Sequence, residues 1–190
     1  GSTWEGGVRE PTIARWKGQI PAGSVCDAVA GTIDLLPTAV ALAGGKLPEV
    51  PVVDGRDISG ILLGKSKESA REAHYYFSGY NLQAVRQGPW KLAVMPQHET
   101  MGRGILADAS GTAPRLYNLD EDIGEKRNRA GDHPEVVAEL QALIVKMGGE
   151  IGGASPSARR PAGEVTHPTT LYPTAGKKVK TEVVAPPVQP

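Results

Sequence analysis

His74-Tyr75-Tyr76-Phe77-Ser78-Gly79-Tyr80-Asn81-Leu82-Gln83-Ala84-Val85-Arg86-Gln87-Gly88-Pro89-Trp90-Lys91-Leu92-Ala93-Val94-Met95 is the stretch whose reading decides the fold. It holds three strand-like runs, His74 to Ser78, Leu82 to Arg86 and Trp90 to Met95. The second and third are joined by Gln87-Gly88-Pro89, a hairpin-type link. In the third run Trp90, Leu92 and Val94 share one face, and Lys91 and Ala93 take the other, because side chains alternate along a strand. A fourth run, Arg115 to Leu119, follows a Gly-containing connection over 96–114. Connections that long in a compact domain commonly carry function.

Downstream, the clearest helix spans 134–147. Val136, Val137, Leu140, Leu143, Ile144 and Met147 form one apolar stripe. Asp132 is the expected N-cap, Glu135 completes a capping-box pattern, and Gly148-Gly149 is the expected stop. Three or four antiparallel strands, about four, with one amphipathic helix make a small α+β unit over 70–150. From 151 onward Pro, Gly, Ser, Thr and Lys dominate, which reads as an extended or disordered tail.

Upstream, Thr12 to Trp16 is a β-prone run closed by turn signals, and Thr32 to Ala43 reads as a helix. Asp34 caps its start, Pro37 falls in its first turn, and Gly44-Gly45 ends it. Its broad apolar surface (Leu35, Leu36, Val40, Leu42) suits a helix packed on a sheet. Residues 46–69 are mostly connection, with a short helical turn expected over 58–63. Gly6-Gly7 supplies a backbone turn, and Arg9 is expected to pair with Glu5 or Glu10.

The chain has 190 residues, with 21 basic and 21 acidic side chains. A net charge of zero gives no global field to gather nucleic acid or an anionic membrane. Lys177, Lys178 and Lys180 read as a solvated tail cluster. No apolar run approaches the length of about 18 residues that spans a bilayer. Cys26, the single cysteine, forms no internal disulfide, and Asp27 beside it disfavours a thiolate nucleophile. Asp120-Glu121-Asp122 lacks the ligand spacing of a calcium loop; Asp122 and Glu125 are expected to brace the turn before the last helix.

The opening Gly1-Ser2-Thr3-Trp4-Glu5-Gly6-Gly7-Val8-Arg9-Glu10-Pro11 resembles a signature of the arylsulfatase-like family in the alkaline phosphatase superfamily. The resemblance continues, in order, through Trp16-Lys17-Gly18, Ile33 to Thr38, Asp54-Gly55-Arg56-Asp57, Ala84-Val85-Arg86, Gly88, Trp90-Lys91, and Leu116 to Leu119 with Asp122, Glu125 and Asn128. Arg160-Pro161 and His167-Pro168 are similar to a tail of some bacterial members. Any one motif is weak; the ordered set over about 1–172 is specific.

The resemblance implies an alkaline phosphatase-like α/β sulfatase fold, here partial. Residues 1–45 would finish the large α/β core, and 70–150 would form the small antiparallel sheet with its helix. It implies hydrolysis of sulfate esters by a formylglycine nucleophile and a calcium ion, with Lys and His groups on the sulfate. Those groups are expected ahead of Gly1, the lysine immediately before it. Neither Cys26-Asp27-Ala28-Val29-Ala30 nor Ser155-Pro156-Ser157-Ala158-Arg159 meets the Cys/Ser-x-Pro/Ala-x-Arg pattern. No catalytic or metal-binding residue is therefore expected in this chain, and the isolated piece is expected to be inactive. What remains is substrate contact from the loop 96–114, with His98 the leading candidate and Arg103 next. The implied substrate is a sulfated carbohydrate or an aryl sulfate, and the implied compartment is periplasmic or extracellular. Two rival readings are a non-catalytic binding or scaffold module and a phosphodiesterase or phosphonate hydrolase of the same superfamily.

Overall fold

The computed structural model describes residues 2–49, 52–97, 114–153 and 160. In chain order the elements are α1 (Glu5–Val8), α2 (Leu35–Leu42) preceded by a 3-10 turn at Thr32–Asp34, α3 (Ser59–Leu62), β1 (His74–Ser78), β2 (Asn81–Gln87), β3 (Trp90–Ala93), β4 (Arg115–Asn118) and α4 (Pro134–Ile151). The four strands form one antiparallel sheet in sequence order.

Gly88, in the left-handed region at φ 54°, turns the β2–β3 hairpin. Its register sets Val85 opposite Leu92 and Ala84 opposite Ala93; β3 and β4 then pair Leu92 with Leu116. The period of two therefore puts Val85, Leu92 and Leu116 on one face, where Leu140 of α4 meets them. Val136, Val137, Leu143 and Ile144 complete that contact, so the predicted helical stripe is the buried one. The outward face of β4 is secured by a side chain. Asn128 Oδ1 accepts the Leu116 N–H at 3.0 Å, and Arg129 N donates to Leu116 O at 2.8 Å, so this edge strand does not end on bare backbone groups.

Three local expectations fail for identifiable reasons. His133, not Asp132, occupies the N-cap of α4, because Asp132 Oδ2 is engaged by Arg129 Nε at 2.8 Å. Gly148-Gly149 does not stop the helix. Interior glycine costs only about 1 kcal/mol, and the backbone first turns left-handed at Gly152, φ 80°. Thr12 to Trp16 forms no strand: no described strand lies beside it, and Ile13 is 96% exposed.

The same absence of cover marks α2. Leu35 and Leu36 are 62% and 58% exposed, with Ile33 also exposed at its start. Pro37 and Thr38 are buried on the opposite side. A helix that turns its leucines outward has an apolar face without a partner among the described residues. Replacing both leucines with lysine should raise the solubility limit of the chain severalfold. Its unfolding free energy should hold to within about 0.5 kcal/mol, the usual range for exposed sites. Sedimentation after concentration, with a denaturant titration, checks this; a drop of several kcal/mol would mean that the leucines pack internally.

Candidate functional site

The face of the sheet turned away from α4 carries charge. Lys91 alternates with Leu92, so its side chain enters this second face, where it is 0% exposed. Its three donor positions meet three acceptors: Thr3 O at 2.7 Å, Glu5 Oε1 at 3.0 Å and Glu125 Oε1 at 2.9 Å. The ammonium also stands 4.2 Å from the ring centroid of Tyr76. Tyr76 OH donates to Glu5 Oε1 at 3.0 Å, and Glu5 N donates to Glu125 Oε2 at 2.6 Å. Arg86 lies 3.7 Å from Glu5 Oε2, so two carboxylates face two cations.

This cluster fastens the opening segment to the sheet. Thr3 Oγ1 donates to Gln83 Oε1 at 2.7 Å, and Gln97 Nε2 donates to Thr3 O at 2.9 Å. Trp4 lies against Tyr117, with the Arg115 guanidinium 5.2 Å from its ring centroid. Gly7 is required here, since a Cβ would meet Ser2 O at 2.7 Å; a Cβ on Gly6 would meet nothing within 4 Å. Of the predicted glycine pair, the second is thus the constrained one. Arg9 reaches Glu5 only at 3.9 Å from an exposed position, so the buried partner of Glu5 is Lys91. Nothing in the local sequence pairs positions 5, 91 and 125; the only clue was a lysine on a strand between apolar neighbours.

Burial pushes the Glu5 carboxyl up. The charge and hydrogen bond of Lys91, with Tyr76 and Arg86, outweigh it and hold the group below its ordinary value. Burial and the adjacent Glu5 push the Tyr76 phenol well up, so it stays a donor. Glu125 does more than brace a turn: at φ 51° its backbone is left-handed, which aims its carboxylate inward. Asp122 does brace the turn, accepting the N–H groups of Lys126 and Arg127 at 2.7 Å each.

Asp34 forms a second hub. Its Oδ2 accepts Gly31 N at 2.7 Å; its Oδ1 accepts Arg56 N at 2.7 Å and a short hydrogen bond from Arg71. It therefore reaches back and across rather than capping α2 forward, for which it makes no side-chain bond. Thr38 extends the joint, donating to Asp34 O and accepting Ile58 N. Gly55 must be glycine, because a Cβ would meet Ile33 O at 2.0 Å. Burial raises the Asp34 carboxyl, but the N–H of Arg56 and the guanidinium of Arg71 leave it lowered on balance.

A cleft of about 280 Å³ opens next to this hub, with Ser69, Arg71, His74 and Arg86 in its wall. His74 Nδ1 is buried without a hydrogen-bond partner among the described residues. Burial and the charge of Arg71 push its imidazole down. Both arginines of the wall are already held, by Asp34 and by Glu5.

His98 and Arg103, the predicted substrate contacts, lie outside the described residues, as do His167 and the 155–159 motif. Cys26 is exposed, its Sγ 3.9 Å from Lys67 O. His133 lies tilted against Trp90, with ring centroids 4.7 Å apart. No three His, Cys, Asp or Glu side chains among the described residues gather to hold a metal. The buried carboxylates of Glu5, Asp34 and Glu125 are each committed to cations or N–H groups, so a calcium ion does not fit them. No helix among the described residues is long and apolar enough to cross a membrane.

The opening Thr-Trp-Glu-Gly-Gly-x-Arg segment is thus locked onto a four-stranded sheet with one packed helix. The family described as the C-terminal region of aryl-sulfatase matches residues 69–167, just over half of the chain, and the chain belongs to that family. It is 41% identical over 160 residues to human arylsulfatase A, covering 75% of this chain and 31% of that protein. Against mouse arylsulfatase G it is 34% identical, covering 75% and 28%. Among solved structures, a Bacteroides thetaiotaomicron chain from the metabolism of multiple glycosaminoglycans is 32% identical with a TM-score of 0.65, covering 77% of this chain and 30% of that one. The PsFucS1 sulfatase from Pseudoalteromonas sp. is 29% identical with a TM-score of 0.65 and the same coverage. The chain thus spans about a third of the length of the relatives it matches.

Proposed function

We propose that this chain is the substrate-side, C-terminal part of a sulfuric ester hydrolase, working with a preceding segment that supplies the reacting groups. In this reading residues 1–45 complete the large α/β core, and the sheet of 70–150 leans over the pocket rim. The loop 96–114 meets the organic part of the substrate, through His98 and then Arg103. The substrate is a sulfated carbohydrate or an aryl sulfate, and the enzyme works in the periplasm or outside the cell. Formylglycine and calcium would supply the attacking oxygen and the charge on the sulfate; both belong to the preceding segment.

The observation that carries the reading is the fastening of Thr3 and Glu5 onto the sheet by Lys91, Gln97 and Glu125. The motif that leads toward the chemistry is thus fastened to the sheet of 70–150. Exposed Leu35 and Leu36 support the second half of the reading, an apolar face made for a larger core. The chain's similarity to arylsulfatase A and to the PsFucS1 sulfatase favours a sulfatase over a phosphodiesterase or phosphonate hydrolase.

Assay with p-nitrophenyl sulfate and calcium tests this directly. The 190-residue chain should give no turnover above buffer. The longer protein, carrying the Cys/Ser-x-Pro/Ala-x-Arg segment ahead of Gly1, should hydrolyse the ester. Turnover by the short chain would sink the division of labour; a longer protein that cleaves a phosphonate or phosphodiester but no sulfate ester would favour the rival chemistry.

A further inference from the structure

The cleft of about 280 Å³ lies where the segment around Asp27 passes the start of β1 and the β2–β3 turn. Two guanidiniums stand in its wall. The side chains of Arg71 and Arg86 are only 10% and 14% exposed, unusual for a residue type that seldom leaves water unless paired. Each is pinned at one side. Arg71 donates a short hydrogen bond to Asp34 Oδ1. Arg86 Nε donates to Gly88 O at 3.0 Å, and its Nη1 lies 3.7 Å from Glu5 Oε2. A guanidinium carries five N–H groups, so several donors on each arginine stay uncommitted among the described residues. Donors this deeply buried need acceptors, and the cleft is the space from which an acceptor can meet them.

Size and charge narrow what fits. At ~30 Å³ per water, the cleft has the volume of roughly nine waters, enough for one sugar-sized molecule and too little for a chain. A carboxylate matches the planar fork of a guanidinium. The exposed part of the lining has the opposite sign, in Asp27, Glu72 and Asp120. A dianion would meet repulsion there, whereas hydroxyl groups can donate to those carboxylates. The geometry points to a binding site for a small polyhydroxy carboxylate, its one anionic group held between Arg71 and Arg86. This assignment does not depend on the sulfatase reading, because no reacting group takes part in it.

His74 reports occupancy. It lies in the same wall, edge-on to Tyr76 with ring centroids 4.9 Å apart. Burial and then the charge of Arg71 hold its imidazole below the ordinary range; Arg86 acts in the same direction, and Glu5 and Asp34 oppose them. Glu72, Asp27 and Asp120 are the other charges around the cleft. An anion seated on the two arginines offsets their charge and raises the imidazole. By reciprocity, the anion should bind more tightly as pH falls and His74 takes up its proton.

The test uses the 190-residue chain with sodium gluconate, sodium sulfate and neutral glucitol. Calorimetry reads binding, and proton NMR reads the imidazoles, with His74 assigned from its loss in His74→Gln. Gluconate should bind with Kd on the order of 1 mM, sulfate about threefold more weakly and glucitol not at all. The His74 midpoint should move to higher pH on binding. Arg86→Gln should weaken gluconate about tenfold, through loss of a charge-assisted contact. Arg86→Lys keeps a charge toward Glu5 but loses the fork; it should weaken binding about threefold and serves where Arg86→Gln fails to fold. Glu72→Gln, at an exposed position, should tighten binding about twofold. Absence of gluconate binding, equal binding of glucitol or tighter binding of sulfate would overturn the assignment. So would gluconate binding that leaves the His74 midpoint in place or is unaffected by the folded Arg86 variants.

Discussion

Lys91→Met should destabilise the chain by about 3–5 kcal/mol, the loss expected when one member of a buried ion cluster is removed and the others remain. The substitution leaves Glu5 and Glu125 facing each other with Arg86 at 3.7 Å as the nearest remaining counterion. It also strips Thr3 O of one donor. Against the ~5–15 kcal/mol of a typical domain, that loss is a large share of the total. The acid limb should move too. In the parent, Glu5 titrates below its ordinary value of 4.5, so its contribution is present above that value and is lost as pH falls through the lowered one. Without Lys91, burial prevails and raises the carboxyl, so protonating Glu5 relieves the strain and the stability gap between variant and parent should narrow as pH falls. The double variant Lys91→Met with Glu125→Gln should recover part of the loss, because it removes one of the stranded charges. Denaturant titrations at pH 7 and between pH 3 and 6 check both readouts; a Lys91→Met chain within 1 kcal/mol of the parent would show that the cluster adds nothing to cohesion.

Asp34→Ala is the second large effect, again about 3–5 kcal/mol. Asp34 is 0% exposed and accepts from Gly31 N, Arg56 N and Arg71 at once. Alanine leaves two backbone donors and a guanidinium without their acceptor. The damage should be local before it is global, freeing the connection between α2 and β1. Limited trypsin digestion should therefore cut after Arg56 and Arg71 at least tenfold faster in the variant, while the sheet stays intact. Equal cleavage rates at these two arginines would rule out Asp34 as the anchor.

What the sequence disclosed follows from how local each signal is. His74 to Ser78 was legible as a strand to the residue, and Trp90, Leu92 and Val94 as one face, because a period of two is written in adjacent positions. The stripe on α4 was legible for the same reason. Its ends were not: capping depends on where Asp132 finds a partner, and Arg129 took it. Thr12 to Trp16 has strand-forming residues, but a strand needs a neighbour, and none of the described segments offers one. The site was hidden for a different reason. Glu5, Lys91 and Glu125 lie far apart in the chain, and charge on a strand reads as a solvent face until the segment that covers it is known. Resemblance to a family located the opening motif, yet only coordinates show that its glutamate is paired with Lys91 rather than with Arg9.

The bond from Glu5 N to Glu125 Oε2 joins residues 120 positions apart. A ribosome delivers the amino end first, so the opening segment must wait for its acceptor to be made. At ordinary elongation of about 5–20 residues per second, that interval is roughly 6–24 s. During it, the glutamate and the tryptophan beside it have no berth, and any nascent chain stalled short of Glu125 displays them to chaperones and proteases. Exposure of Glu5 and Trp4 would thus report that synthesis has not yet reached Glu125.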